Sequence, residues 1–372
     1  MIQIRSDFPG GNIRVLSVEG REVQLAPDLR DTEGPWFYWY FAARFSEPGR
    51  WHFSFPDGPA VGPRGAAFIC DGGLSWQFTD RIGAGDREFF YENDGSVPEV
   101  RFAMAPPYGL GELERFLAVT PGIMRGELCR SRGGLPVELL TVPGAADCRV
   151  LITARHHCCE MSANRVMEGI LRQWCAGDQT GCELRRRATL LAVPFADRDG
   201  VEAGDQGKNR RPHDHARDYG HPGGAHLYPE CAALDRLLET RSTRIVVDLH
   251  CPWLRGGSNE KIHFVGPEKE RMARKMALWS EWLPALLPGD VPFDPADNVP
   301  FGTSWNTGAN YTQGQHLVRH SADFDWIDTA LSIEIPFVNA GEVPLGPSQF
   351  QNLGKALAEV MLRELRRLQS GR

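Results

Sequence analysis

RVLITARHHCCE, residues 149–160, joins an unbroken apolar run to a cluster of metal-ligating side chains. Val150-Leu151-Ile152-Thr153 has no polar alternation, so it reads as a strand buried on both faces. His157 and Glu160 follow three residues apart, a spacing that lets a turn aim an imidazole and a carboxylate at one point. Three further runs share the texture: Thr189 to Val193, Ile245 to Val247 and Leu331 to Ile333. Between and after them, Val166, Met167, Ile170, Leu171 and Trp174 recur at helical spacing, as do Leu353, Leu357, Val360, Met361 and Leu365. Buried strands alternating with amphipathic helices predict an α/β domain over residues 106–372, with a mixed, largely parallel sheet flanked by helices.

Upstream the texture differs. From residue 11 to about residue 95 short β-rich runs, such as Phe37 to Phe41 and Trp51 to Phe55, are broken by Gly and Pro clusters. They predict a small antiparallel β-sandwich domain over residues 1–105, with the boundary between 95 and 110 near Pro106-Pro107. The aromatic run Trp36 to Phe41 reads as core packing of that sandwich rather than a ligand platform. Arg185-Arg186-Arg187 reads as a solvated edge before a strand.

The chain has 372 residues, 42% of them hydrophobic, which suffices for a large core and suggests two domains. Its formal charge of −7 removes the attraction behind most nucleic-acid binding, so no such partner is expected. No uncharged apolar stretch is long enough to cross a bilayer and no basic-then-apolar leader opens the chain, so no membrane partner and a cytoplasmic location are expected. Nine irregularly spaced Cys fit free thiols in a reducing compartment.

A third metal ligand is offered by VVDLHC, residues 246–251, where His250 closes another buried strand. Two His and one Glu with a fourth position open form a catalytic zinc set, so one Zn2+ per chain is expected on His157, Glu160 and His250. Adjacent parallel strands would carry all three to the carboxyl edge of the sheet, where α/β active sites sit. Cys158 and Cys159 compete as soft ligands, but sequence neighbours point apart, and they read as small buried hydrophobes.

With these residues in place, the chain resembles the carboxypeptidase A-type zinc carboxypeptidases, and within them the cytosolic carboxypeptidase branch, which carries a β-sandwich ahead of the catalytic domain. The resemblance also rests on RFAMAPPYGLGELERFL, residues 101–117, similar to the branch's domain-junction motif, and on DGVEAGDQGKNRRPHDHAR, residues 199–217. It implies hydrolysis of the C-terminal bond of peptides or proteins. Asp214 then matches the position that orients His157, and Arg217 the position that binds the substrate's terminal carboxylate. Glu334 in SIEIPF matches the general base, and Tyr311 in GANYTQG the tyrosine that folds over bound substrate. Two positions depart from the pattern. Ala216 stands where the D-x-N-R motif has asparagine. Gly207 stands where the branch has the arginine that polarises the scissile carbonyl, leaving Lys208 or Arg210 to serve. Arg319, in the stretch that lines the family's side-chain pocket, implies a preference for acidic C-terminal residues.

Two other readings use the same ligands. One is an amidohydrolase of the aspartoacylase type acting on small acylated amino acids, against which the leading sandwich argues. The other is a zinc-binding protein whose altered positions 207 and 216 leave no useful turnover.

Overall fold

Short runs in which buried and exposed side chains alternate, such as Trp51-His52-Phe53-Ser54, build the first part of the chain. A computed structural model describes residues 1–70, 75–80, 86–220 and 224–370. Its first nine strands are β1 (Ile2–Arg5), β2 (Arg14–Glu19), β3 (Glu22–Ala26), β4 (Tyr40–Phe45), β5 (Gly49–Ser54), β6 (Ala67–Cys70), β7 (Gln77–Phe78), β8 (Glu88–Asn93) and β9 (Val100–Ala103). They form two sheets, ordered β1-β4-β9-β6-β7 and β2-β3-β5-β8. The five-stranded sheet is antiparallel throughout. The four-stranded one departs from the expected pattern at a single pair, since β3 and β5 run parallel. Phe37 to Phe41 are all buried, as core packing requires, although the strand starts only at Tyr40. Trp39 packs on Phe41, Phe55 and Phe89, whereas Phe37 meets Trp253 and Phe337 of the second half.

After β9 come α1 (Leu110–Ala118), β10 (Met124–Arg130), β11 (Pro136–Val142), β12 (Arg149–Ala154), α2 (Ser162–Cys175), α3 (Gln179–Arg187), β13 (Thr189–Val193), α4 (Arg198–Ala203), α5 (Pro229–Leu238) and β14 (Thr243–His250). The chain then forms β15 (His263–Val265), α6 (Glu270–Trp282), α7 (Leu317–Ser321), β16 (Thr329–Glu334) and α8 (Pro347–Gln369). The seven-stranded sheet has the order β10-β11-β13-β12-β14-β16-β15. Its four central strands are parallel and its margins antiparallel. The apolar runs named from sequence are β12, β13, β14 and β16, and the two helical patterns are α2 and α8. The three arginines 185–187 close α3 just before β13, where positive charge meets the carbonyl end of the helix dipole.

The β12–α2–α3–β13 crossover steps to one side of β12, and β14 then adds on the other side. Strand order therefore reverses at β12, which opens a crevice at the carboxyl ends of β12 and β14. Side chains of the strands alternate between two cores. Val150, Ile152, Ala154, Val247 and Leu249 face a cluster continuous with the N-terminal sheets, while Leu151, Val246 and Ala330 face a second one shared with Leu234 of α5 and Leu317 of α7.

Candidate metal centre

Three strand ends meet at that crevice. β12 gives way to a turn holding His157 and Glu160, β14 ends on His250, and Glu334 ends β16 in register beside His250. The Nδ1 atoms of His157 and His250 each lie 2.8 Å from one oxygen of Glu160, Oε1 and Oε2 respectively. Their outward nitrogens meet carboxylates: His157 Nε2 is 3.4 Å from Asp214 Oδ1, and His250 Nε2 is 2.8 Å from Asp248 Oδ2. Such partners fix ring orientation and raise ligand basicity.

Charge follows from this packing. Burial opposes a proton on His250, but Asp248 and Glu160 outweigh it and raise its pKa well above the usual histidine value. Burial likewise opposes charge on Glu160, yet Lys208, His157 and His250 hold its carboxyl well below the usual range. Asp214 is kept low against burial by His157 and Arg217. An environment that draws protons onto buried imidazoles draws a cation equally, and the donor set of two imidazoles and a carboxylate suits zinc.

Among the described residues, two overlapping groups have three donor atoms within 4.8 Å of one another: His157, Glu160, His250 and His156, Asp248, His250. The second is closed by its own bonds. His156 joins Asp248 Oδ1 at 3.0 Å and Tyr219 Oη at 2.8 Å through its two ring nitrogens, and its side chain is 0% exposed. Asp248 Oδ1 also accepts from Thr153 Oγ1 at 2.6 Å. The first group keeps 12% and 9% of its His side chains exposed, as an open coordination position needs. Cys158 and Cys159 are buried thiols, and Cys158 turns to the Asp205 carbonyl.

The remaining residues divide. Glu334 is buried, and among the described residues its Oε2 has no hydrogen-bond partner. Lys208 places Nζ 2.6 Å from Glu160 Oε1 and donates to the Cys251 carbonyl at 2.9 Å. Gly207 has φ +78°, and a Cβ there would sit 2.5 Å from the Cys158 nitrogen, so the backbone leaves no room for an arginine side chain at 207. Arg210 does not reach the cluster: Asp197 at 2.7 Å, Asp205 at 3.2 Å and Asp31 at 3.5 Å hold its guanidinium.

Arg217 donates from Nε to the Asn310 carbonyl at 2.8 Å, which ties it to the loop of Tyr311. With Asp214, Asn310, Thr312 and Gln313 it lines a polar cavity of about 280 Å³, reached from His157 through Asp214. Ala216 is buried, and its N–H donates to Asp214 Oδ1 at 2.8 Å. Tyr311 Oη lies 3.0 Å from His316 Nε2. Arg319 pairs with Glu268 at 2.6 Å and stacks 4.2 Å over the Tyr311 ring. A larger cavity of about 1120 Å³ between the N-terminal sheets, α1, α2 and α8 contains none of the candidate ligands.

Sequence reasoning passed over Asp248, although it sits two residues before His250 on a strand and so shares its face. It also passed over His316 and Asp31, which no local pattern marks.

No protein-family model matches the chain, and no curated protein does. Among solved structures, the metallo-carboxypeptidase from Burkholderia cenocepacia is similar with a TM-score of 0.79 at 20% identity, covering 99% of each chain. The metallo-carboxypeptidase from Pseudomonas aeruginosa in complex with (2-guanidinoethylmercapto)succinic acid is similar with a TM-score of 0.79 at 21% identity, covering 98% of this chain and 100% of that one. Carboxypeptidase A from Helicoverpa armigera is similar over 69% of this chain and 72% of that one, with a TM-score of 0.51 at 13% identity. At such identities the likeness establishes the fold, which is that of the metallocarboxypeptidases. Fold and donor set together make a zinc-metallocarboxypeptidase-like architecture.

Proposed function

We propose that the chain is a zinc metallocarboxypeptidase that hydrolyses the C-terminal bond of peptides or proteins, organised like the cytosolic branch with a β-sandwich domain at residues 1–105 ahead of the catalytic domain at 106–372. One observation carries this reading: His157, Glu160 and His250 converge at a sheet edge with Glu334 in register beside them. Zinc held there supplies a water of lowered pKa and a Lewis acid for the scissile carbonyl. Glu334, with a carboxylate oxygen that has no hydrogen-bond partner among the described residues, takes the proton of the attacking water and passes it to the leaving amine. Lys208 sets a positive charge beside Glu160, where negative charge develops on the carbonyl oxygen. Arg217 pairs with the substrate's terminal carboxylate, and the polar cavity around it receives that end of the chain. Tyr311, on the loop that Arg217 holds, covers the substrate. Nine free thiols suit a cytoplasmic setting.

The aspartoacylase-type reading has less support, because the likeness to the two bacterial metallo-carboxypeptidases extends through the N-terminal sheets. The test is release of single residues from a free-acid peptide and from its C-terminally amidated twin. Cleavage of the free acid alone, lost with chelator and restored by zinc, is expected. Equal rates on the two peptides would remove the exopeptidase reading.

A further inference from the structure

The segment that carries Lys208 is held from the N-terminal sheets. Residues 206–211 follow α4 and cross beneath the stretch between β3 and β4. There Asp31 accepts from Gln206 N through Oδ1 at 3.0 Å and from Gly207 N through Oδ2 at 2.9 Å. The Asp31 carbonyl accepts from Arg211 N at 2.9 Å, Thr32 forms a strand-like bridge with Arg210, and Thr32 Oγ1 donates to the Lys208 carbonyl. The Gln206 amide in turn bonds both backbone groups of Tyr38 at 2.8 Å. On its other side the segment is pressed against the metal-binding turn, since the space a Cβ of Gly207 would need is taken by Cys158 N and His157 Cα. Trp36, just past this stretch, sets its ring 5.5 Å from Lys208 Nζ and packs on Trp253.

We propose that Asp31 is a positioning residue for the reaction. By tying down two consecutive backbone N–H groups it fixes the path of 206–208, so that the Lys208 ammonium stands against Glu160. The N-terminal sheets are then part of the catalytic apparatus rather than an appended module. This inference rests on the carboxypeptidase reading for the role of Lys208, while the placement of Lys208 by Asp31 stands apart from it. A carboxylate is required because both of its oxygens accept. An asparagine of the same shape would turn an NH2 group towards one of the two donors.

The test uses the full-length, zinc-loaded chain carrying Asp31→Asn, with Thr32→Val as a second variant that removes only the hydroxyl contact to the Lys208 carbonyl. Reductive methylation with peptide mass mapping reads the accessibility of Lys208, elemental analysis reads zinc, and kcat and KM are measured on a free-acid peptide. In Asp31→Asn we expect Lys208 to label roughly tenfold faster, zinc content to stay the same, and kcat to fall about tenfold with little change in KM, as misplacement of a catalytic charge does. In a Lys208→Met background, Asp31→Asn should change kcat by less than about twofold, because the two residues then act as one unit. Unchanged labelling of Lys208 in Asp31→Asn, whatever Thr32→Val shows, or an undiminished loss of kcat in the Lys208→Met background, would overturn the proposal. If the wild-type chain cleaves no peptide, the carboxypeptidase reading fails by itself and the labelling result alone decides whether Asp31 places Lys208.

Discussion

Glu334 is the residue on which turnover should depend most steeply. Its amide analogue cannot accept a proton from water, so Glu334→Gln should retain zinc yet lower kcat by about 10²–10⁴-fold. Wild-type rates in that variant would move the base elsewhere. A second carboxyl bears on stability rather than chemistry. Burial pushes Glu230, at the start of α5, up to about 7, and its Oε2 has no hydrogen-bond partner among the described residues. Because the folded pKa lies above the unfolded one, both states keep the proton in acid and nothing is lost there. Stability falls as pH rises from the ordinary carboxylate range to about 7, and above that the loss is complete, on the order of 3 kcal/mol for a shift of this size. Glu230→Gln should therefore raise Tm at pH 8 and leave it nearly unchanged at pH 4. A gain of equal size at both pH values would show that the charge is not the cause.

At the scale of elements, α2 and α8 cross at two glycines. A Cβ on Gly354 would lie 2.1 Å from the Val166 carbonyl oxygen, and one on Gly169 would lie 2.2 Å from that of Gln351. Backbone cannot yield as a side-chain tip can, so Gly354→Ala should cost about 1–3 kcal/mol or more by overpacking, visible as a lower denaturant midpoint. An unchanged midpoint would mean that the helices separate freely. The strands around this crossing were legible because a parallel strand covered on both faces carries an unbroken apolar run, as Val150 to Ile152 in β12, Leu190 to Val193 in β13 and Ile245 to Val247 in β14 do. The start of β4 was less so: aromatic side chains from Phe37 onward are buried whether or not their backbone joins a ladder. The parallel pairing of β3 with β5 was illegible for a related reason, since alternation reports which face is buried and says nothing of strand direction.

For the whole molecule, one apolar cluster runs from Trp39 and Phe89 between the N-terminal sheets to Val150 and Leu353 of the second half. That continuity is why residues distant in sequence gather at one crevice. The candidate ligands His157, Glu160 and His250, which the fold brings together, stood out in the chain because each lies at or soon after the end of a recognisable strand, and strand ends are local features. Lys208 and Arg210 were not separable by sequence. What distinguishes them is that Asp31, Asp197 and Asp205 converge on one guanidinium, which only the folded chain brings about. The partner of Arg319 was illegible for the same reason, Glu268 lying on another segment. The same packing sets two imidazoles, His156 and His157, side by side and closes one of them with Asp248 and Tyr219. On the proposed reading the cation belongs to the other. Elemental analysis of purified His157→Ala and His156→Ala after equal exposure to zinc tests this directly. One zinc per chain in the wild type, loss of tight binding in His157→Ala and retention in His156→Ala are predicted, whereas full zinc in His157→Ala with loss in His156→Ala would place the metal on His156, Asp248 and His250 and contradict the account.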